Sequence, residues 1–270
     1  RTFLNSAERT ALRERHGIAL WGASGGIYGS QQQVREQQRE LRQLVSGYGR
    51  VTFIDSRRIR GVSRLLGGLQ RARRVPGLDR PAAALARRMF GKSLDVMEAM
   101  PHAYGRSRGE PTRHFLRFAY YKSPRPLPPD DQLDPARDGA GLIWFAPSLP
   151  FTGQHLTDVI KLCRPLFDEY GFDFSAAIMG QNARTISLVL GILYYKDNPA
   201  EAARATALYQ RLCEVTQAAG YPRYRISAPN QAHALADAQT YRTVVEQLRA
   251  ALDPDGVMAP GRYGVGGRDG

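Results

Sequence analysis

A tyrosine and an arginine stand side by side near the end of the chain, at Tyr224 and Arg225. A phenol hydroxyl next to a guanidinium can bind an anionic oxygen, such as that of a phenolate, because arginine keeps its positive charge at any working pH. Residues 252–262 follow, with the sequence L-D-P-D-G-V-M-A-P-G-R. Either feature alone is more typical of a strand edge or of a turn that closes a helix. Their chemistry therefore depends on the elements that position them.

Length and composition are those of a globular chain. Its 270 residues suit one large domain or two ordinary ones, and 43% hydrophobic residues suffice for a sizeable core. No apolar run is long enough to span a membrane and none has the pattern of a secretion signal, so we expect a cytoplasmic protein with no membrane partner. Cys163 and Cys213 lack the spacing of a zinc site, so we expect two reduced thiols and no metal. Because the chain begins at Arg1, we also expect further sequence upstream.

The net charge of +13 is concentrated in one part of the chain. Residues 57–91 contain ten arginines and a single acid, Asp79. Such a block can mark a nucleic-acid surface, but it contains no Tyr or Trp for base stacking and no nucleic-acid motif. A solvated, arginine-rich helical face is the preferred interpretation, and no nucleic-acid partner is expected. A docking face for an acidic partner stays open as an alternative.

The hydrophobic pattern alternates between strands and helices. Strands are predicted at residues 18–23, 51–55, 142–147, 172–179 and 185–195, and helices at 31–45, 57–99 (interrupted by glycines and Pro76), 155–170, 199–219 and 237–252. The order of elements in residues 142–219 repeats the strand, helix, strand plan of residues 18–55, which is the half-unit of a ferredoxin-like layer. We therefore predict an α+β fold with a ferredoxin-like, mostly antiparallel sheet and helices packed on one face.

Four short motifs and the C-terminal pair follow one another along the chain. They are G-I-Y-G at 26–29, G-E-P-T at 109–112, D-P-x-R-D-G-x-G-L-I-W-F-A-P at 134–147, Y-x-x-x-N-P-x-E at 194–201, and Tyr224-Arg225 with the terminus that follows it. In this order they resemble the vanillyl-alcohol oxidase and 4-cresol dehydrogenase (p-cresol methylhydroxylase) flavoprotein family. The resemblance implies that residues 1–222 are the cap domain over the substrate. It implies that residues 223–270 return to an FAD-binding domain, which is itself absent from this chain.

The resemblance also implies roles for individual residues. Tyr224 and Arg225 are the implied catalytic pair, with Tyr224 bonding the phenolic oxygen and Arg225 facing the phenolate and the reduced flavin. The implied FAD contacts are Arg225, Pro260, Gly261 and Arg262, and the implied substrate contacts are Trp144, Phe145, Ile178, Ser187 and Tyr224. For Trp144 and Phe145, an ordinary place in a strand core is an equally good interpretation.

Several positions depart from the family pattern. Leu142 stands where some members carry a residue that bonds covalently to the flavin, so the FAD of the full-length protein is expected to be non-covalent. Ile178, Ser187, Leu188 and Gly191 stand where many members carry acids or histidines that activate water. Since none of these four residues supplies a general base, loss of CO₂ from the substrate is favoured over addition of water.

The sequence thus predicts the substrate-binding portion of an FAD-dependent oxidoreductase. Its substrate is a para-substituted phenol that loses a hydride to flavin through a quinone methide, and we favour oxidative decarboxylation of a p-hydroxyphenylpropanoate-type acid. Two alternatives remain: an alkylphenol oxidase or hydroxylase of the 4-cresol or eugenol type, and a flavin-free module that binds substrate without turnover. Expected partners are the phenol and the missing FAD-binding domain, and a homodimer is left open. We expect the 270-residue chain alone to be colourless and inactive.

Overall fold

The computed structural model describes residues 3–226 and 230–262, and it divides into two compact units. One unit comprises Leu4–Arg117 and Pro129–Leu133 and is called the helical unit below. The other comprises Phe118–Pro128 and Asp134–Gly270, together with Arg1–Phe3, and is called the sheet unit. The predicted boundary between a cap domain (1–222) and a segment that returns to an FAD-binding domain (223–270) involves a domain outside this chain, so it stays a prediction.

The helical unit is a set of amphipathic helices around a small core. Its helices are α1 (Ser6–His16), α2 (Gln31–Val45), α3 (Ser56–Arg73), α4 (Asp79–Phe90) and α5 (Leu94–Ser107), and a 3-10 helix lies at Asp130–Gln132. A second 3-10 helix, His114–Lys122, begins in this unit and ends in the sheet unit. The predicted helix at 31–45 and the interrupted helical stretch at 57–99 are confirmed, with Pro76 in the break between α3 and α4. Leu66, Leu69 and Ala86 fill the core. All ten arginines of residues 57–91 are solvent-exposed, and the choice between a solvated helical face and a docking face stays a prediction.

The two strands predicted in the first 55 residues are wrong. Residues 18–23 and 51–55 carry no strand, and the predicted repeat of the strand, helix, strand plan is not formed there. Trp21 is 66% exposed, and Val51 and Ile54 are about 40% exposed. A strand needs a hydrogen-bonded neighbour and a buried face to be stable, and in the described part of the chain these apolar runs have neither.

The sheet unit carries the predicted α+β fold. Its elements are β1 (Ala140–Phe145), β2 (Ser148–Pro150), α6 (Gly153–Tyr170), β3 (Ser175–Gly180), β4 (Thr185–Tyr195), α7 (Pro199–Ala218), α8 (Gln231–Ala234) and α9 (Gln239–Leu252). All strand pairs are antiparallel, and β4 is the central strand. The predictions for residues 142–147 and 185–195 are therefore confirmed.

Strands β1 and β2 form one line along the same edge of β4. Phe145 lies opposite Leu190, and Ser148 lies opposite Ser187, so the register does not change between the two strands. Pro147 separates them because proline has no N–H to donate to the ladder. Its carbonyl still accepts the N–H of Leu188 at 3.1 Å. Strand β3 pairs with the other edge of β4.

One face of the sheet is packed against helices. The side chains of Ile186, Leu188, Leu190 and Ile192 alternate along β4 and are at least 96% buried, and they share one core with α6 and α7. The intervening positions point to the opposite side, which we call the Trp144 face. This face carries residues of all four strands and of the link between β1 and β2. They are Trp144, Ala146 and Ser148 along β1 and β2, Ser187, Val189 and Gly191 on β4, and Ser175, Ala177 and Met179 on β3.

The sequence motifs of the sheet unit fix the ends of its elements. Gly141 lies against the ring of Tyr194, and a Cβ there would meet ring atoms at 2.6 Å, so only glycine fits without a shift. Asn198 caps α7 through the N–H of Glu201 at 3.1 Å, and the Glu201 carboxylate accepts the N–H of Tyr195 at 3.2 Å. These residues of the shared motifs therefore have a structural role.

Cys163 and Cys213 are buried free thiols, as predicted. Burial raises the pKa of the Cys163 thiol to about 12. Among the described residues, no helix combines the length and the apolar composition that a transmembrane span requires.

Candidate functional site

The segment that carries Tyr224 extends the sheet by one short bridge. Pro147 and Arg223 form an antiparallel bridge. The N–H of Tyr224 donates to the carbonyl of Ala146 at 2.7 Å, and the N–H of Ser148 donates to the carbonyl of Pro222 at 2.7 Å. Residues 222–224 are thus held along the outer edge of strands β1 and β2, where Pro147 joins them.

This pairing decides the direction of the Tyr224 side chain. Arg223 points to the helix side, where its Nη1 lies 3.0 Å from the Sγ of Cys213 on α7. Because neighbouring residues on a paired segment point to opposite faces, Tyr224 lies on the Trp144 face. It is 49% exposed, and the guanidinium carbon of Arg225 lies 5.4 Å from the centroid of its ring. The predicted pair is therefore assembled and open to solvent.

The Trp144 face is lined by small side chains beside Tyr224. Tyr224 lies across from Ala146, and Ala146 in turn lies across from Val189 on β4. On the other side of β4, Ala177 on β3 lies opposite Val189. The next row holds Trp144, Gly191 and Ser175. The side chains that lie between the tyrosine and the tryptophan on this face are therefore small.

Trp144 is paired with an aromatic residue that the sequence analysis did not single out. Trp144 is 54% exposed, and its ring stacks on that of Phe118 with centroids 5.7 Å apart and planes 13° apart. Phe118 comes from the short aromatic run at residues 115–121. That aromatic content was a signal, but sequence spacing does not show which ring reaches the sheet.

The other predicted substrate residues divide between the two faces. Ser187 lies on the Trp144 face, is fully buried and accepts a hydrogen bond from Gln181 Nε2 at 3.4 Å. Phe145 lies on the helix-packed face, where its ring meets that of Tyr209 edge-on at 5.9 Å. Ile178 lies opposite Leu188, and so belongs to the same side as Phe145. The structure brings Trp144, Ser187 and Tyr224 to one face and does not place Phe145 and Ile178 with them.

Leu188 and Gly191, two of the positions where a general base is missing, are both enclosed by neighbouring side chains. Leu188 is fully buried in the helix-side core. Gly191 lies beneath the aromatic pair, since a Cβ at this position would meet Phe118 at 3.3 Å and Trp144 at 3.4 Å. The two rings fill the space that a longer side chain at residue 191 would occupy.

The predicted flavin contacts near the C-terminus lie in a turn that follows α9. Asp253 holds this turn, with its carboxylate oxygens accepting the N–H groups of Val257 at 2.9 Å and Met258 at 3.0 Å. Pro260, Gly261 and Arg262 are exposed. Their exposure leaves them accessible, and their role toward a flavin stays a prediction.

A separate cleft opens on the helix side of residues 221–223. It has a volume of about 320 Å³ and is lined by Cys213, Thr216, Tyr221, Arg223 and Leu235, among others. Neither Tyr224 nor Arg225 lines it, so this cleft is distinct from the Trp144 face.

The helical unit contains a cluster with metal-ligating atoms. Ligand atoms of His102, His114 and Asp130 lie within 4.8 Å of one another. The two imidazoles are stacked, with centroids 4.2 Å apart and planes 5° apart, so an ion in the plane of one ring would lie outside the plane of the other. The Asp130 carboxylate accepts hydrogen bonds from Arg117 Nε at 2.5 Å and from His114 Nδ1 at 3.2 Å. A hydrogen-bonded cluster explains this arrangement, and the expectation of no metal stays a prediction.

A charged network fixes the turn that leads into β1. The Asp138 carboxylate accepts hydrogen bonds from Arg137 Nε at 2.7 Å and from the Tyr120 hydroxyl at 2.6 Å. These bonds, that of Arg137 first, lower the pKa of Asp138 to about 2. Burial, together with the hydrogen bond to Asp138, raises the pKa of Tyr120. This network links the start of β1 to the segment that carries Phe118.

The sheet unit is an antiparallel α+β unit that presents an aromatic and cationic face. The chain is 31% identical over 265 residues to the 1'-carboxy-chondrochloren decarboxylase of Chondromyces crocatus, a match that covers 97% of this chain and 45% of that protein. It is 31% identical over 133 residues to the 4-cresol dehydrogenase [hydroxylating] flavoprotein subunit of Pseudomonas putida, covering 48% of this chain and 25% of that subunit. These matches confirm the resemblance to the vanillyl-alcohol oxidase and 4-cresol dehydrogenase flavoprotein family.

Two further comparisons add little. A solved 4-ethylphenol oxidase from Gulosibacter chungangensis, in its isoeugenol complex, gives a TM-score of 0.44 at 23% identity, over 48% of this chain and 25% of that one. No family model matches the chain. The chain spans less than half the length of the curated relatives that it matches.

Proposed function

We propose that this chain is the substrate-binding portion of a flavin-dependent oxidoreductase that acts on para-substituted phenols. The observation that supports the proposal is the position of Tyr224 across from Ala146 on the Trp144 face, with the guanidinium carbon of Arg225 5.4 Å from the centroid of its ring. A hydroxyl and a guanidinium together favour an anionic phenolic oxygen over a neutral ether. The aromatic ring of such a ligand would lie over Ala146 and Val189, toward Trp144.

The residues present fit the ring end of a flavin. Arg225 is exposed and permanently positive, which suits a reduced flavin because that ring is an anion. Arg262 and the exposed turn before it would lie against the same group. The sequence has no G-x-G-x-x-G after a strand. We propose that the phosphates of FAD are held by residues outside this chain. When bound, the flavin supplies the acceptor for a hydride.

We further propose oxidative decarboxylation as the reaction. The phenol is bound as its phenolate, with its proton released to solvent and its anionic oxygen facing the Tyr224 hydroxyl and Arg225. Loss of a hydride from the benzylic carbon then leaves a quinone methide. The bond to the carboxylate carbon then breaks, and its electron pair forms the new carbon–carbon double bond while the ring oxygen becomes a phenolate and CO₂ leaves. Gly191, under its two rings, and Leu188, in the core, offer no base for water addition. The name of the Chondromyces relative, a decarboxylase, supports the same outcome.

The second candidate is oxidation or hydroxylation of an alkylphenol. It is favoured by the name of the Pseudomonas relative, a 4-cresol dehydrogenase. The two reactions differ in product. A flavin-containing protein that includes this chain should release labelled CO₂ and a styrene from carboxyl-labelled 4-hydroxyphenylpropanoate. Oxygen from labelled water in the product, with no CO₂, would contradict decarboxylation and support the second candidate.

Ligand binding tests the first proposal on the chain itself. The sequence has two tryptophans, Trp21 and Trp144, so a Trp21→Phe background makes the emission a probe of Trp144. Titration should give tighter binding of 4-hydroxyphenylpropanoate than of its 4-methoxy analogue. Both ligands carry the same carboxylate, so the general attraction of a chain with a net charge of +13 cancels in the comparison.

Variants locate the binding in the Tyr224–Arg225 pair. Arg225→Ala should weaken binding about tenfold to a hundredfold, since a hydrogen bond to a charged group contributes roughly 1.5–3 kcal/mol. Tyr224→Phe should have a smaller effect, because it removes one hydroxyl and keeps the ring. Arg211→Ala, on an exposed part of α7, is the matched control. Equal affinity for the hydroxy and methoxy ligands, or an unchanged affinity in Arg225→Ala, would refute the proposed site.

The alternative to an enzyme is a module that binds the phenol without a flavin and without turnover. It predicts the same ligand binding but no flavin absorbance near 450 nm in a protein that includes this chain, whatever precedes it. A yellow protein whose flavin is released by acid supports the enzyme and a non-covalent cofactor.

A further inference from the structure

Phe118 and Trp144 form a flat aromatic wall at one end of the proposed site. Their planes differ by only 13°, and both rings reach solvent, with 38% of Phe118 and 54% of Trp144 exposed. An aromatic pair of this kind offers faces and edges to a third ring or double bond, and each such contact contributes roughly 0.5–1.5 kcal/mol beyond the buried area.

Gly191 makes this wall possible. It lies directly opposite Trp144 in the ladder between β1 and β4, on the same face. A Cβ at residue 191 would meet the Phe118 ring at 3.3 Å and the Trp144 ring at 3.4 Å. The absence of a side chain therefore lets both rings lie close to the backbone of the central strand.

The wall lies at a fixed distance from the phenol-binding end. Tyr224 is across from Ala146, and Trp144 is two residues before Ala146 on the same face. Diagonal neighbours of this kind have Cα atoms about 7–8 Å apart. A single six-membered ring with its oxygen at Tyr224 fills that span, so its para substituent reaches the wall.

We propose that Phe118, seated over Gly191 and stacked on Trp144, makes the site bind a planar, unsaturated para substituent, such as that of the quinone methide or of the styrene product, more tightly than a branched saturated one. The proposal rests on the proposed function. A planar substituent conjugated with the ring stacks along the wall, whereas a branched saturated carbon projects out of the ring plane toward the Phe118 ring. Phe118 thus acts on specificity, through contact with the substituent and not with the reacting oxygen.

The test compares two phenols that differ in the shape of the substituent. In the Trp21→Phe background, 4-propenylphenol should bind about two- to tenfold more tightly than 4-isopropylphenol, in keeping with the contribution of one aromatic contact. Phe118→Leu, which keeps an apolar side chain but loses the flat ring, should bring this ratio to about one. Phe118→Tyr keeps the ring and should keep the ratio. Phe115→Leu, on the same 3-10 helix, is the control.

The outcomes separate this proposal from the proposed function. If Phe118→Leu keeps its preference for hydroxy over methoxy ligands while losing the propenyl preference, Phe118 selects the substituent as proposed. If the propenyl preference survives in Phe118→Leu, the proposal is wrong even though the phenol site stands. If the unmodified chain binds hydroxy and methoxy ligands equally, the proposed function fails first. Thermal melting of each variant shows whether it is folded. If Phe118→Leu is not, Phe118→Met, which also lacks a flat ring, takes its place, and a propenyl preference that survives in Phe118→Met would overturn the proposal.

Discussion

The backbone N–H of Tyr224 donates to the carbonyl of Ala146 at 2.7 Å. This hydrogen bond fixes Tyr224 to the edge of the sheet, and the alternation of the paired segment turns its ring toward Trp144. Tyr224, near the end of the chain, and Trp144, near its middle, thereby lie on the same face of the sheet. The neighbouring Arg223 is held on the other side, against Cys213.

Arg223 should therefore affect ligand binding indirectly, because it holds the Tyr224 segment from the helix-packed face of the sheet. Arg223→Met removes the contact of its guanidinium with Cys213 and keeps an apolar stem in place. We expect the affinity for 4-hydroxyphenylpropanoate to fall, but by less than in Arg225→Ala, because the substitution loosens the segment without removing a ligand contact. Fluorescence titration measures the effect, and Arg211→Met is the control. A loss as large as that of Arg225→Ala would mean that Arg223 itself meets the ligand.

Asp138 should make the stability of the sheet unit sensitive to acid. Its pKa is lowered in the folded state from 3.8 to about 2, so its contribution is fully present above pH 3.8 and is lost as the pH falls toward about 2. The free energy of unfolding should drop across this window, and Asp138→Asn should drop less steeply there. Urea unfolding at a series of acidic pH values measures both slopes. Asp255→Asn should keep the slope of the unmodified chain, and identical slopes for all three proteins would contradict this role of Asp138.

Gly141 should tolerate no side chain. In Gly141→Ala the new Cβ would meet the Tyr194 ring at 2.6 Å, inside a central pair of strands. Such overpacking typically costs about 1–3 kcal/mol of unfolding free energy. Gly153→Ala, at the start of α6, meets nothing within 4 Å and serves as the control, with an expected change within about 0.5 kcal/mol. Chemical denaturation compares the two, and equal stabilities would show that Tyr194 moves aside freely.

Asp253 should hold the C-terminal turn in place. Its carboxylate accepts two backbone N–H groups and lies 3.4 Å from Arg249 Nη2. Asp253→Ala leaves these donors without their acceptor, so the amides of Val257 and Met258 should exchange faster with solvent. Hydrogen exchange measured by NMR detects this, with Asp255→Ala as the control. Unchanged protection of both amides in Asp253→Ala would show that the turn is held by other contacts.

Sequence alone determined the α+β class, the three long helices of the sheet unit (α6, α7 and α9) and its central strands. These elements are long and strongly patterned, and their ends are marked by local signals such as Asn198 before Pro199, so neighbouring residues suffice to define them. The Tyr224–Arg225 pair was also readable, because its chemistry depends on residue types that are adjacent in the chain. The strands expected at 18–23 and 51–55 failed for the opposite reason. Their apolar runs fit a strand, but a strand also needs a partner that no local pattern supplies.

Only the tertiary structure decided which candidates share a face. Trp144 and Phe145 are adjacent in sequence and equal as candidates, yet alternation in the strand sends one to the Trp144 face and the other into the helix-side core. Phe118 could not be found from spacing, because its contact with Trp144 depends on a glycine 73 positions further along the chain, at 191. Side-chain direction in a sheet is set by register, and register is a property of paired strands that no single stretch of sequence contains.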